Sequence, residues 1–194
     1  MSSSKRKFLI IGAGLSGVSV AIQLIRKGAD VTLMDNGVNF SSYVAAGMIN
    51  PLVFRRMTKS WRVDEFIPYL KDFYRGLETE TNSSFFHEIP IRRMFSTEQE
   101  RGFWLKKQER EDFEPYMNKV TDADYTFSGG KNPFGSGRVR ETFYVEVLPF
   151  FEKVKKWISD RGKIVNSAFD SDDLSETMYN GVEYDDIIFC QGYL

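Results

Sequence analysis

The stretch Gly12-Ala13-Gly14-Leu15-Ser16-Gly17 lies between a short apolar run, Phe8 to Ile11, and a segment whose apolar residues recur with helical spacing. No other part of the chain restricts the fold as tightly. A wholly apolar run of four residues is what a parallel strand covered on both faces requires. Leu15, Val18, Ala21, Ile22 and Ile25 then mark one face of a helix, and Gly28 supplies its stop. Val31 to Met34 reads as a second strand, closed by Asp35. Strand, helix and strand make a βαβ unit and so predict a parallel sheet.

Each glycine has a physical task in that setting. Gly12 permits the tight turn, Gly14 lets the backbone approach a pyrophosphate, and Gly17 lets the helix lie close on the sheet. Amide groups where the helix opens, over Ala13, Leu15 and Ser16, together with the helix dipole, favour phosphate. Asp35, with Asn36 beside it, is placed to accept hydrogen bonds from a ribose diol, and its charge disfavours a 2′-phosphate. The context of the motif, more than the glycines themselves, predicts a dinucleotide site.

Composition excludes other classes. Lys and Arg number 26 against 27 Asp and Glu, a net charge of -1, which offers no broad attraction to nucleic acid. One cysteine, Cys190, and one histidine, His87, cannot make an intrachain disulfide or a Cys/His zinc site. A reducing, cytoplasmic setting is expected. The basic start Lys5-Arg6-Lys7 ahead of the apolar run to Ile25 imitates a secretion signal. Three glycines and Gln23 interrupt that run and no small-residue cleavage site ends it, so neither secretion nor an integral membrane segment is expected.

Further along, residues 41–50 are small and apolar and end at Pro51, which predicts an ordered loop or short helix. A helix is expected over about 63–80, with Pro68 near its start. The aromatic-rich stretch 84–140 reads as an insertion, with a strand over 86–95 and a helix opened by a capping box, Ser96 with Gln99. The α/β pattern returns with a helix over 147–161, a strand over 163–168, a hairpin turn at Asn180-Gly181 and a strand over 186–190. The expected architecture is a discontinuous α/β domain, 1–83 with 141–194, of Rossmann-like form, carrying an inserted and incomplete α+β substrate domain at 84–140.

Ser41-Ser42 followed by Ala45-Ala46-Gly47-Met48-Ile49-Asn50-Pro51 resembles the segment after the ribose-binding acid in the D-amino-acid oxidase superfamily, glycine oxidase and sarcosine oxidase-like members above all. Lys163-Ile164-Val165 resembles the family strand that ends beside adenine, and Asp186 to Gly192 resembles the strand that brings a glycine to the cofactor. The resemblance implies FAD. It carries over Ser41, Ser42, Ala46, Gly47 and Met48 as contacts along the pyrophosphate and flavin ring, Val165 as a backbone contact to adenine, and Gly192. It further implies oxidation of a small amine or amino acid, with hydride passing from the carbon beside the amine to flavin and water hydrolysing the imine. The catalytic residues are not identified by it, nor is the oligomeric state.

The chain departs from the family in two places. Asp35 stands where the family commonly has Glu. Family members also continue past the strand ending at Gly192, so an N-terminal portion of a longer protein is expected. An NAD-dependent dehydrogenase would share Gly12, Gly14, Gly17 and Asp35 but not the segment 45–51; a non-catalytic dinucleotide-binding module is the third reading. Other signals carry less. Gly130 to Gly137 has the glycine spacing of a P-loop but lacks its Lys-Ser/Thr and reads as a flexible loop. Arg55, Arg56, Lys59 and Arg62 read as a solvated face, His87 has no patterned carboxylate or nucleophile around it, and Cys190 reads as a small buried hydrophobe.

Overall fold

The computed structural model describes residues 5–38, 41–120 and 132–192. Its contacts divide the chain into two compact units, 1–46 with 147–194, and 47–146.

The first unit is built on a parallel sheet. Strand β1 (Lys7–Ile11) pairs on one side with β2 (Asp30–Asp35) and on the other with β14 (Asp186–Phe189), while β10 (Lys163–Asn166) extends the sheet beyond β2. Helix α1 (Leu15–Arg26) connects β1 to β2, and α4 (Val147–Ser159) precedes β10; the two helices pack together. Val18, Ala21 and Ile22 are the buried face of α1, and Phe150, Phe151, Val154, Trp157 and Ile158 that of α4. The apolar run 8–25 is thus split between a buried strand and an amphipathic helix. Among the described residues no helix is long and apolar enough to cross a membrane.

Alternation along β1 sends Leu9 and Ile11 to one sheet face, where they join Met34 and Tyr179 in a core cluster. Tyr179 comes from a meander of β11 (Leu174–Ser175), β12 (Met178–Tyr179) and β13 (Val182–Glu183). Its β12–β13 turn carries Asn180 at φ 48° and Gly181 at φ 74°, the left-handed pair that a two-residue hairpin of this kind demands. Because β2 and β14 flank β1 on opposite sides, the crevice at the C-terminal end of β1 is a topological switch point, where open α/β sheets receive ligands.

The second unit begins at Gly47, well before the insertion boundary at residue 84 that the sequence suggests. Pairing explains the shift. Strand β3 (Met48–Ile49) joins β9 (Phe143–Val145), whose other neighbour is β6 (Phe86–Glu88), and α2 (Val63–Thr81) packs on β6. Tyr74 of α2 stacks on Phe86, and Phe86 on Phe143, at centroid separations of 5.1 and 5.0 Å. Residues 48–49 therefore belong to the same sheet as the aromatic stretch, which short-range patterning cannot reveal.

The remaining elements are β4 (Leu52–Val53) with β5 (Thr58–Lys59), β7 (Ile91–Met94) with β8 (Ser136–Val139), and α3 (Glu98–Lys107). The single strand expected over 86–95 is two strands, parted at Ile89-Pro90. The cap of α3 lies one residue later than expected. Thr97, not Ser96, accepts the amide of Glu100 at 3.1 Å, and the Glu100 carboxylate reaches back to the Ser96 amide at 2.7 Å. The loop expected from Gly130 to Gly137 lies outside the described residues at Gly130 and is strand β8 from Ser136 onward. Gly137 is required there because a Cβ would stand 2.3 Å from the Trp104 ring.

Candidate functional site

Gly12 leaves β1 at φ 101° and donates its amide to Met34 O at 2.7 Å, which turns the chain across the end of β2. A Cβ on Gly12 would lie 2.4 Å from Cys190 O, and one on Gly17 would lie 1.8 Å from Gly12 O. These two glycines close the turn between β1 and α1, against Cys190, and admit no side chain. Gly14 stands differently. It is the N-cap of α1 in extended conformation, and a Cβ there would point toward Ser42, 3.1 Å from its Oγ.

The first intrahelical bond of α1 runs from the Val18 amide to Gly14 O at 3.0 Å, so the Leu15, Ser16 and Gly17 amides precede it. Ser42 Oγ accepts from Leu15 N at 3.1 Å, and no acid stands in the first turn. No acid of its own first turn therefore offsets the partial positive charge at the opening of α1. Ser42 can still donate its own hydroxyl proton outward.

Asp35 is tied into the turn itself. Its Oδ2 accepts the Ala13 amide at 2.7 Å and its Oδ1 the Gly37 amide at 2.7 Å. Each carboxylate oxygen has two acceptor sites, so one on each remains for a diol after both bonds are made. The shorter Asp side chain thus acts as a brace between the end of β2 and the glycine turn, a role the sequence reading did not assign.

Gly12, Gly14, Leu15, Ser16, Asp35, Ser41, Ser42 and Gly192 line one cavity of ≈ 600 Å³. Ala13 and Gly17 are buried below it. Asn36 lines a neighbouring cavity of ≈ 110 Å³ with Met34, Val38, Ser167 and Phe169. Val165, paired with Met34, packs against the core cluster, and Ser167 and Phe169 beyond it reach that cavity instead. Ala46 is exposed at the edge of the first unit and lines neither cavity; Gly47, at φ 69°, and Met48, 58% exposed, belong to the second unit.

Cys190 was not expected at this site. It is only half-buried, it lines the larger cavity with Phe189 and Gln191, and its Sγ lies 3.6 Å from Ser16 Oγ. A signal existed: β14 runs parallel to β1 with Phe189 opposite Ile11, so the residue after β14 must fall beside the glycine turn. The histidine reading also changes, since Glu146 Oε1 stands 2.7 Å from His87 Nε2, from 59 positions away.

The model of the FAD dependent oxidoreductase (DAO) family matches residues 7–133, more than half of the chain. The chain belongs to this family. Solved structures agree in fold. Glycine oxidase from Bacillus cereus superposes with TM-score 0.68 at 17% identity, covering 97% of this chain and 55% of that one. Glycine oxidase from Geobacillus kaustophilus gives 0.66 at 16%, with 97% and 56% covered. L-proline dehydrogenase from P. horikoshii gives 0.64 at 13%, with 83% and 44% covered. At such identities the likeness is one of fold, and the chain spans about half of these proteins or less.

The family's cofactor fits the residues present. A diphosphate needs converging amides, no competing acid and backbone bare of side chains, and the opening of α1 with Gly12, Gly14 and Gly17 supplies all three.

Proposed function

We propose that the protein of which this chain forms part oxidises a small amine or amino acid with FAD, and that residues 1–46 and 147–194 hold the nucleotide. The observation that carries this reading is the acid-free opening of α1, set in a cavity whose rim is glycine, Ser41, Ser42 and Asp35. In it, the amide of Ser16 and the hydroxyls of Ser41 and Ser42 bind the diphosphate, with the Leu15 amide holding Ser42 Oγ in place. Asp35 and Asn36 take the adenosine ribose, with Asp35 also holding the turn through Ala13. Val165, Gly192 and Ala46 complete the contacts of the first unit with the nucleotide.

FAD supplies the electron acceptance, so the protein's share of the work is to bind, orient and exclude water. L-amino acid deaminase from Proteus myxofaciens, of which this chain covers 38%, is a structural neighbour whose name agrees with that substrate class.

The test is cofactor retention. The purified chain should carry flavin absorbance or take up added FAD saturably, and Gly14→Val should weaken FAD binding at least about tenfold while the unfolding transition stays near that of the parent. The mechanism is steric, because the new side chain would project toward Ser42 Oγ in the mouth of the cavity. Equal FAD affinity in parent and variant would overturn the placement. Preference for NAD over FAD would overturn the cofactor.

A further inference from the structure

Helix α2 carries a second pattern, on the flank between its buried face and solvent. Its core side is set by Val63, Ile67, Tyr74 and Leu77, all buried. Beside them Arg62, Phe66, Tyr69, Phe73, Gly76 and Glu80 follow one another at alternating intervals of four and three residues. That is the spacing of a coiled-coil seam. The seam is open to solvent: Phe66 and Tyr69 are 42% and 58% exposed, and Trp61, just ahead of the helix, is 75% exposed.

The exposed rings are already held in place. Trp61 meets Phe66 edge to face at 5.4 Å between centroids, the Arg62 guanidinium lies 5.4 Å from both ring centres, and Tyr69 stacks on the buried Phe73 at 6.4 Å. Rings held this way lose little freedom when a partner covers them. The order of residues along the seam says which partner fits. It runs from basic through aromatic to small and acidic, so the same helix laid antiparallel on it sets Arg62 against the partner's Glu80 and Phe66 against the partner's Gly76. Tyr69 then meets the partner's Tyr69 and Phe73 in the middle. Arg62 binds Glu65, through Nε at 3.1 Å and through a terminal nitrogen, and its remaining donors can serve a second carboxylate.

We infer that α2 is a dimerisation helix whose partner is α2 of a second copy of the chain, antiparallel about a two-fold axis near residue 71. Lys71 itself stays out of the contact, because it turns to Glu141 at 2.6 Å. Opposite charges meet at both ends and rings meet in the middle, which is the self-complementarity that a two-fold interface demands. A parallel pair would instead set Arg62 on Arg62 and Glu80 on Glu80. An anionic membrane surface fits less well, since Glu65, Asp72 and Glu80 are all exposed along the same helix. One helix pair is a small interface, so the dimer should dissociate in the range of about 1–100 µM. Asp72 lies one residue from the axis, beside the partner's Asp72, and this exposed pair of like charges limits the affinity.

Analytical ultracentrifugation of the purified chain across that range, at low salt, tests the inference and needs no cofactor. The parent should sediment as monomer and dimer in equilibrium. Arg62→Glu and Glu80→Arg should each weaken self-association about tenfold, because like charges then meet at both ends. An equimolar mixture of these two variants should dimerise about as well as the parent, since each supplies the charge that the other lacks. Phe66→Glu should abolish the dimer while the thermal unfolding of dilute protein stays near that of the parent, and Asp72→Asn should tighten it about threefold. A parent that remains monomeric at about 300 µM, a dimer indifferent to Phe66→Glu, or a mixture no stronger than its two components would each overturn the inference.

Discussion

Helices α1 and α2 open in contrasting ways. α1 starts at Gly14, in extended backbone, with no acid in its first turn and a serine from a distant loop on its leading amide. α2 starts at Arg62, in left-handed conformation at φ 50°, with Asp64 and Glu65 in its first turn. The positive end of α2 is thus answered by its own side chains, and that of α1 is not. An acid at a helix start contributes about 0.3–1 kcal/mol, which α2 has and α1 forgoes. The comparison sets the opening of α1 apart from that of α2 in both backbone and charge.

The largest effect should come from closing the turn that makes α1 available. Gly17→Ala sets a methyl 1.8 Å from Gly12 O, where only backbone could move to make room. Chemical denaturation should show a loss on the order of 3 kcal/mol or more, against a small change for Gly102→Ala in α3, which meets nothing within 4 Å. A Gly17→Ala protein as stable as its parent would remove the close-packing argument for that glycine.

Next in size is the exchange of character between the two helices. Leu15→Glu gives α1 the acid it lacks, at a side chain that is 45% exposed and lines the large cavity. Stability should rise by about 0.3–1 kcal/mol, while FAD affinity should fall about tenfold through repulsion of the diphosphate. The opposite signs matter most. A variant that binds FAD as well as the parent would show that the opening of α1 does not face phosphate.

The two units differ in how much of them could be read along the chain. The βαβ core and the close turn at Gly12 and Gly17 are built from residues near one another in sequence, and their tasks follow from turn sterics, so the residues alone located them. The Asn180-Gly181 hairpin was legible for the same reason, since its backbone angles admit few residue types. The brace from Asp35 to Ala13 was not, because a carboxylate can be assigned to a strand end long before its partner is known. Cys190 and the His87–Glu146 pair were hidden more deeply. Each depends on a pairing register between segments more than fifty residues apart, and register is set by which face of a strand is buried. The boundary at Gly47 was lost the same way, through a two-residue strand too short to carry any periodicity.

The acids of α2 offer the smallest and most controlled test of the contrast. Asp64 accepts from Lys59 Nζ at 2.6 Å and from the Tyr116 hydroxyl at 2.7 Å, and these bonds, Lys59 first, hold its carboxyl below the usual range. Because the folded value lies below the unfolded one, this stabilisation is complete above about pH 4 and disappears as pH falls through the folded value. Tyr116 moves the other way, raised well above the ordinary phenol range by burial and then by Asp64, so its share is complete below about pH 10 and is lost as pH climbs. Asp64→Asn should cost about 0.5–1 kcal/mol near neutrality, and Tyr116→Phe about 1 kcal/mol, by denaturant titration. The Asp64→Asn deficit should shrink toward zero on acidification through the folded value. A deficit undiminished in strong acid would mean that Asp64 steadies α2 through packing alone, and the charge-based distinction between the two helix openings would lose half its support.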